Sequence, residues 1–255
     1  MPTVHKMKIE TIKELLVKDK SCYFEIYNDF CKLNNTYKIQ DQDVIAFEYA
    51  LTFATDNLEL DSHQLLCSMY ALVMGYCFTS FYWRAKKYVH QVISLIEQNA
   101  HSLKNEMISE MLVELGDYYR MVSNQKEALN CYKKAFEYLK DGDTLFKIVV
   151  ATKCLDPDYE FKFNEQELQK LYPSDIKRIL MATEGKGFLK IDPIENSEEF
   201  QSVYNEVHEQ MLEILNQEGD LHLAIQKWGI LEDLYLKKGI VWKNPKMMNP
   251  RVMFD

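Results

Sequence analysis

Glycine and proline are scarce in this chain, 8 and 6 among 255 residues, so the frequent tight turns of a sandwich or barrel have few residues to build them. Paired cysteines are lacking too. Cys22, Cys31, Cys67, Cys77, Cys131 and Cys154 lie far apart in apolar helical patterns with no CxxC pair, and are expected as buried thiols. No apolar run reaches the ~18 residues of a membrane span, and Met1–Lys6 leads into a polar amphipathic stretch without an apolar signal core. The cytosol is therefore the expected compartment, no membrane is expected as partner, and the sequon Asn34-Asn35-Thr36 reads as chance. Runs of Lys and Arg are likewise missing. With a net charge of -9 and a pI near 5.3, a surface that tracks phosphates is not expected, and nucleic acid is excluded as a direct ligand.

Catalytic patterns are also absent. His5, His63, His90, His101, His208 and His222 show neither HxxxH nor HExxH spacing, and Glu206-Val207-His208 has the wrong interval for a di-iron ExxH pair. Gly185-Lys186-Gly187 lacks the third glycine and the trailing Lys-Ser/Thr of a phosphate loop, and so reads as a turn. Glu198-Glu199 and Asp41/Asp43 fit solvated helix starts favoured by the helix dipole better than an acid–base pair. No serine stands in a GxSxG elbow. No catalytic residue, metal site or cofactor is expected.

What the chain does hold is packing material, with 47% hydrophobic residues, 16 Tyr and 13 Phe, recurring at helical spacing. Ile9, Ile12, Leu15, Leu16, Tyr23, Ile26, Tyr27 and Phe30 form one stripe with a break near Asp19-Lys20-Ser21. Asp41 is a candidate cap for a helix carrying Val44, Phe47, Leu51 and Ala54. Asp61 and Gln64 form a capping-box spacing before a helix from Ser62 to about Phe81 that is apolar round much of its circumference. A helix from about Trp83 to Asn99 follows. Between about 156 and 196, Pro157, Pro173, Gly185, Gly187 and Pro193 punctuate short pieces, with Asn164 and Glu167 set to cap one of them. Asn196 and Glu199 mark the start of the longest late helix, and a last helix from Asp220 stops at Gly239.

The most informative stretch is Leu112-x2-Leu115-Gly116-x2-Tyr119-x8-Ala128-x3-Tyr132-x2-Ala135, which resembles the tetratricopeptide repeat, with Leu112 in place of the usual Trp and Lys140 in place of the terminating Pro. Gly116 and Ala128 are expected where the two helices of the hairpin approach, and Tyr119 and Tyr132 in the gaps between pairs. The best repeat spans 109–140; degenerate ones lie near 62–100 and 197–239. Ala85, Ala128 and Ala224 are spaced by 43 and 96 residues rather than by the family's regular period. The resemblance implies an all-α fold, a right-handed stack of antiparallel helix hairpins forming one solenoid domain over 1–255, irregular near 156–196. Residues 240–255 form a proline-broken, non-helical tail expected to dock, with Trp242, Met248 and Phe254 as its contacts.

The same resemblance implies a concave groove lined by Glu110, Val113, Asp117 and Arg120, and by Tyr70, Met74, Cys77 and Phe78 from the preceding unit, although an apolar stripe of this kind is also what a core looks like. The implied function is a regulatory binding module for a protein or short peptide, apolar or basic in character, without catalysis. The alternative is a scaffold or subunit that self-associates into a homo-oligomer through its C-terminal tail.

Overall fold

A computed structural model describes residues 8–218 and 224–254, and every regular element among them is helical. The chain divides into two compact units, Met1–Leu103 and Lys104–Asp255.

The first unit holds α1 (Ile9–Lys18), α2 (Cys22–Asn35), α3 (Asp41–Asn57), α4 (Ser62–Cys77), a 3-10 turn (Tyr82–Ala85) and α5 (Lys86–Asn99). Local polar signals set most of the boundaries. Asp19 accepts from the backbone N–H and hydroxyl of Ser21, breaking α1 from α2 at the expected place. Asp61 and Gln64 form the expected capping box, with the Gln64 N–H 2.8 Å from Asp61 Oδ1 and the Asp61 N–H 3.1 Å from Gln64 Oε1. Asp41 is not the cap of α3. It is the first helical residue; the preceding Gln40 N–H donates to Asp43, and Asp41 accepts instead from the Ser80 N–H across the fold. The helix expected to reach Phe81 ends at Cys77, where Thr79 Oγ1 donates back to the Tyr76 carbonyl.

Helix α4 packs against α2, α3 and α5, in keeping with its all-round apolar surface. Its Gly75 leaves room for the Phe30 ring, which stacks on Phe47 with centroids 4.0 Å apart. The polar clamp of this unit is Glu48 on α3, which accepts from Tyr76 Oη at 2.7 Å and Tyr88 Oη at 2.5 Å and pairs with Lys87 at 2.6 Å. One carboxylate thereby ties α3 to α4 and α5.

The second unit holds α6 (Asn105–Met121), α7 (Gln125–Tyr138), α8 (Gly142–Leu155), α9 (Glu165–Leu171), α10 (Ile176–Thr183), a 3-10 turn (Pro193–Asn196), α11 (Glu198–Glu218), α12 (Ala224–Lys237) and a single turn α13 (Pro245–Met248). Helices α6 and α7 meet through Val122–Asn124, where Ser123 adopts φ 56° and Asn124 caps α7 by accepting from the Glu127 N–H. Ser109 near the start of α6 donates to the Ala135 carbonyl near the end of α7, so the two run antiparallel.

Gly116 faces the Tyr132 ring: a Cβ on Gly116 would lie 2.7 Å from Tyr132 Cδ1 and 2.9 Å from Cζ. The expected division of labour changes accordingly. Tyr132 fills the inside of the α6–α7 hairpin at Gly116 rather than only a gap between pairs, because the missing side chain there leaves the space a phenol ring needs between the two backbones.

Helix α8 packs on α7, and α10 on α8. The segment expected to interrupt the helical pattern shares a core with α8, in which its Leu168, Ile179 and Ala182 are buried with Leu145, Val149 and Val150, and Phe161, Phe163 and Phe188 pack against them. Asn164 caps α9 as expected, accepting from the Gln166 and Glu167 N–H groups. Gly185 and Gly187 both have positive φ, 71° and 79°, and the Lys186 N–H closes back on the Met181 carbonyl, so this pair of glycines ends α10 as a turn. Ser197, not Asn196, caps α11 through its Oγ and the Phe200 N–H, while Asn196 donates to the Cys154 carbonyl. The expected start of the last helix at Asp220 lies outside the described residues. Its end is as expected: Gly239 has φ 79°, and the Ile240 N–H reaches the Tyr235 carbonyl at 3.0 Å.

Two glycine-to-alanine changes test the packing at Gly116. Gly116→Ala gains helix propensity of about 1 kcal/mol but meets an anchored ring, an overpacking cost of about 1–3 kcal/mol, so a net loss near 1 kcal/mol is expected in urea unfolding. Gly229→Ala on α12, exposed and with nothing within 4 Å, is expected to raise stability by up to about 1 kcal/mol. Equal effects of the same sign would contradict the packing at Gly116.

Candidate binding surfaces

Helical spacing sets Glu110, Val113, Glu114, Asp117 and Arg120 along one side of α6, opposite the buried row of Ile108, Met111, Leu112, Leu115 and Tyr119. Glu110 and Arg120 are exposed; Val113, Glu114 and Asp117 are half-buried. Asp117 is already engaged. It accepts from Tyr132 Oη at 2.7 Å and is ion-paired with Lys147 of α8, whose amine also lies 5.8 Å from the centre of the Tyr132 ring. Lys147 continues to Asp143 at 3.8 Å, Asp143 to Arg178 at 2.8 Å, and Arg178 to Asp175 at 2.5 Å, with the Arg178 guanidinium over the Phe146 ring. A line of alternating charge thus links α6, α8 and α10.

Glu114 sits beside this line. Burial raises its carboxyl above the usual range, the neighbouring Asp117 charge pushes the same way, and Lys147 offsets only part of that. Sequence reasoning missed Glu114, although it lies four residues after Glu110 and three before Asp117 on the same face. It also missed Lys147, Asp143 and Arg178, for which no local pattern points toward α6.

In the first unit the candidates on and just after α4 divide by depth. Tyr70, Met74 and Cys77 are half-buried and Phe78 is 50% exposed, while the core side of α4 is carried by Leu66, Leu72, Val73 and Tyr76. Phe78 meets the exposed Tyr37 edge-on at 5.3 Å. Cys77 donates its thiol to the Val73 carbonyl one turn back.

Two of the three tail candidates have side-chain partners in the second unit itself, and the third lines a cavity. Trp242 donates from Nε1 to Glu195 Oε1 at 2.8 Å and packs near Tyr235 and Phe200; Phe254 meets Trp228 edge-on at 5.1 Å; Met248 lines a cavity described below. The tail also carries a helical turn where none was expected. Asn244 caps it by accepting from the Met247 N–H, and Pro245 at the first helical position has the fixed φ such a start requires. Glu195 is buried, which pushes its carboxyl up, against the pull of hydrogen bonds from Trp242 and Ser123.

Glu48, Cys131 and Cys154 are held by packing. Burial alone would raise the Glu48 carboxyl, but hydrogen bonds from Lys87, Tyr76 and Tyr88 outweigh it and hold the group below its ordinary value, so it is ill-suited to take a proton. Burial pushes the thiols of Cys131 and Cys154 up to about 12 and about 11, away from reactive thiolates. Among the described residues no group of three His, Cys, Asp or Glu side chains could hold a metal ion, and no helix is long and apolar enough to cross a membrane. No protein-family model, curated protein or solved structure matches this chain.

His208 on α11 supplies a pH test. It is 4% exposed and stacked on Tyr204 at 3.9 Å, with Nδ1 2.9 Å from the Tyr204 carbonyl. Burial holds it down to about 4, against that hydrogen bond and the charge of Glu209. The unfolded chain takes up this proton near pH 6.5 and the folded chain only near 4, so the contribution is fully present above 6.5 and is lost as pH falls toward 4. Between pH 7 and 5 the loss is about 2 kcal/mol, and it is expected to vanish in His208→Phe. Urea midpoints of the two chains at both pH values check this; parallel pH profiles would contradict it. Comparing chains matters because Glu114 and Glu195, whose carboxyls are raised, push stability the other way over the same range.

Proposed function

We propose that the chain is a binding module that holds a protein segment or short peptide on the α6 side of its second unit, without catalysis, and that the captured segment carries basic and apolar side chains. The observation that carries this reading is Glu114. Its carboxyl lies half-buried between Glu110 and Asp117 on one helix face, and the cation that partly offsets it, Lys147, is already paired with Asp117 and Asp143. A ligand amine or guanidinium there would relieve like-charge crowding. At 4 Å and an effective dielectric near 20 a unit charge pair gains about 4 kcal/mol before desolvation, enough to select basic over acidic ligands. Val113 adds an apolar contact within the same row. The likeness of Leu112–Ala135 to a tetratricopeptide repeat supports the same side of α6 as the ligand side, since that family binds along its first helices, and it supports a regulatory role.

Self-association through the tail has less support, because Trp242 and Phe254 each have a partner in their own unit. Fluorescence anisotropy with a labelled peptide of alternating Lys and Leu, against its Glu and Leu counterpart, tests the proposal. The intact chain is expected to prefer the basic peptide at least tenfold, with salt weakening it. The double change Glu110→Lys with Glu114→Gln, which leaves the Asp117 clamp untouched, is expected to remove the preference. Equal affinity for both peptides would overturn the reading.

A further inference from the structure

A cavity of about 310 Å³ lies in the second unit, between the end of α8, the 184–193 segment and the tail turn α13. Its apolar walls are Pro157, Phe188, Ile191, Pro193 and Met248, and the charged groups on its lining are Lys153, Lys190 and Glu184. That volume is at the small end of small-molecule sites, whose usual make-up is an apolar wall with a few convergent polar groups.

The charges do not cancel within it. Glu184 is paired with Lys186 at 2.8 Å, and Lys186 does not line the cavity, so the carboxylate is answered from outside. Lys153 gives one hydrogen bond, to the Pro157 carbonyl at 2.8 Å, leaving two of its three N–H donors for other partners. No described carboxylate pairs with the Lys190 amine or with that of Lys153. Lys153 and Lys190 thus line an apolar cavity whose one acid, Glu184, is ion-paired with Lys186.

The chamber is also held in shape. Asn249 clamps the Lys190 backbone from both sides, accepting from its N–H and donating to its carbonyl, each at 2.8 Å. The Lys243 N–H donates to Asp192 at 2.7 Å, and Trp242 to Glu195. The Lys190 backbone, Asp192 and Glu195 thereby hold the tail that carries Met248. A site braced from the tail in this way loses little entropy when it takes a ligand.

We propose that this cavity binds a small free monocarboxylate with an apolar body, the carboxylate meeting Lys153 and Lys190 and the body lying among Phe188, Ile191 and Met248. The site is separate from the α6 face, and nothing in it depends on the peptide reading.

Titration calorimetry of the full chain with octanoate, octan-1-ol and octylammonium tests the proposal. Octanoate is expected to bind at least tenfold more tightly than octylammonium, with octan-1-ol between them. The double variant Lys153→Gln, Lys190→Gln, whose side chains stay polar, is expected to weaken octanoate at least tenfold and leave octan-1-ol unchanged. Phe188→Ala is expected to weaken both. Octanoate that gives no binding, that binds no better than octylammonium, or that binds the double lysine variant as well as the parent overturns the proposal.

Discussion

The second unit depends on one ring. Tyr132 lies where Gly116 has no side chain, and its hydroxyl is held by Asp117, which in turn holds Lys147. A single phenol therefore fixes α7 against α6 by packing and ties both to α8 through a carboxylate. The contact is short because one partner is only backbone, and it is directional because the hydroxyl donates to a charge, a bond worth about 1.5–3 kcal/mol. The first unit repeats the device with other residues: Phe30 lies against Gly75, and Glu48 gathers Tyr76, Tyr88 and Lys87.

This arrangement separates structural charge from available charge. Asp117 was expected to face a ligand, yet its oxygens serve Tyr132 and Lys147, so its removal would disturb the hairpin before it disturbed any groove. Glu110 and Glu114 on the same face have no such anchor, which moves the binding reading from Asp117 to them. In the first unit Glu48 is likewise held by Tyr76, Tyr88 and Lys87, and its depressed carboxyl reflects that clamp.

What was legible in the sequence is what local chemistry decides. Asp61 with Gln64, Asn164 with Glu167, and Gly239 act within a turn of themselves, and each does what its spacing implies. Differences of one residue, Asp41 for Gln40 and Asn196 for Ser197, arise where two polar residues compete for one helix start and long-range partners decide: Ser80 takes Asp41, and the Cys154 carbonyl takes Asn196. Helix α8 has local signals of its own, Asp141 capping it through the Thr144 N–H and Leu145, Phe146, Val149, Val150 and Cys154 at helical spacing, but that spacing does not say which helices it packs on. Without α8, nothing places Lys147 beside Asp117 or Lys153 beside a cavity. The tail's partners Glu195, Asp192 and Lys190 lie 47, 51 and 59 residues upstream of the groups they bind, in a segment that composition marks only as irregular.

Tyr132, Asp117 and Lys147 act as one unit joining three helices. A double-mutant cycle of Asp117→Asn and Lys147→Met, followed by urea unfolding of the four chains, tests this most directly. A coupling on the order of 1 kcal/mol is expected, since each change removes a group the other needs. Strictly additive effects would mean that the pair is incidental and that α8 is held by apolar contact alone.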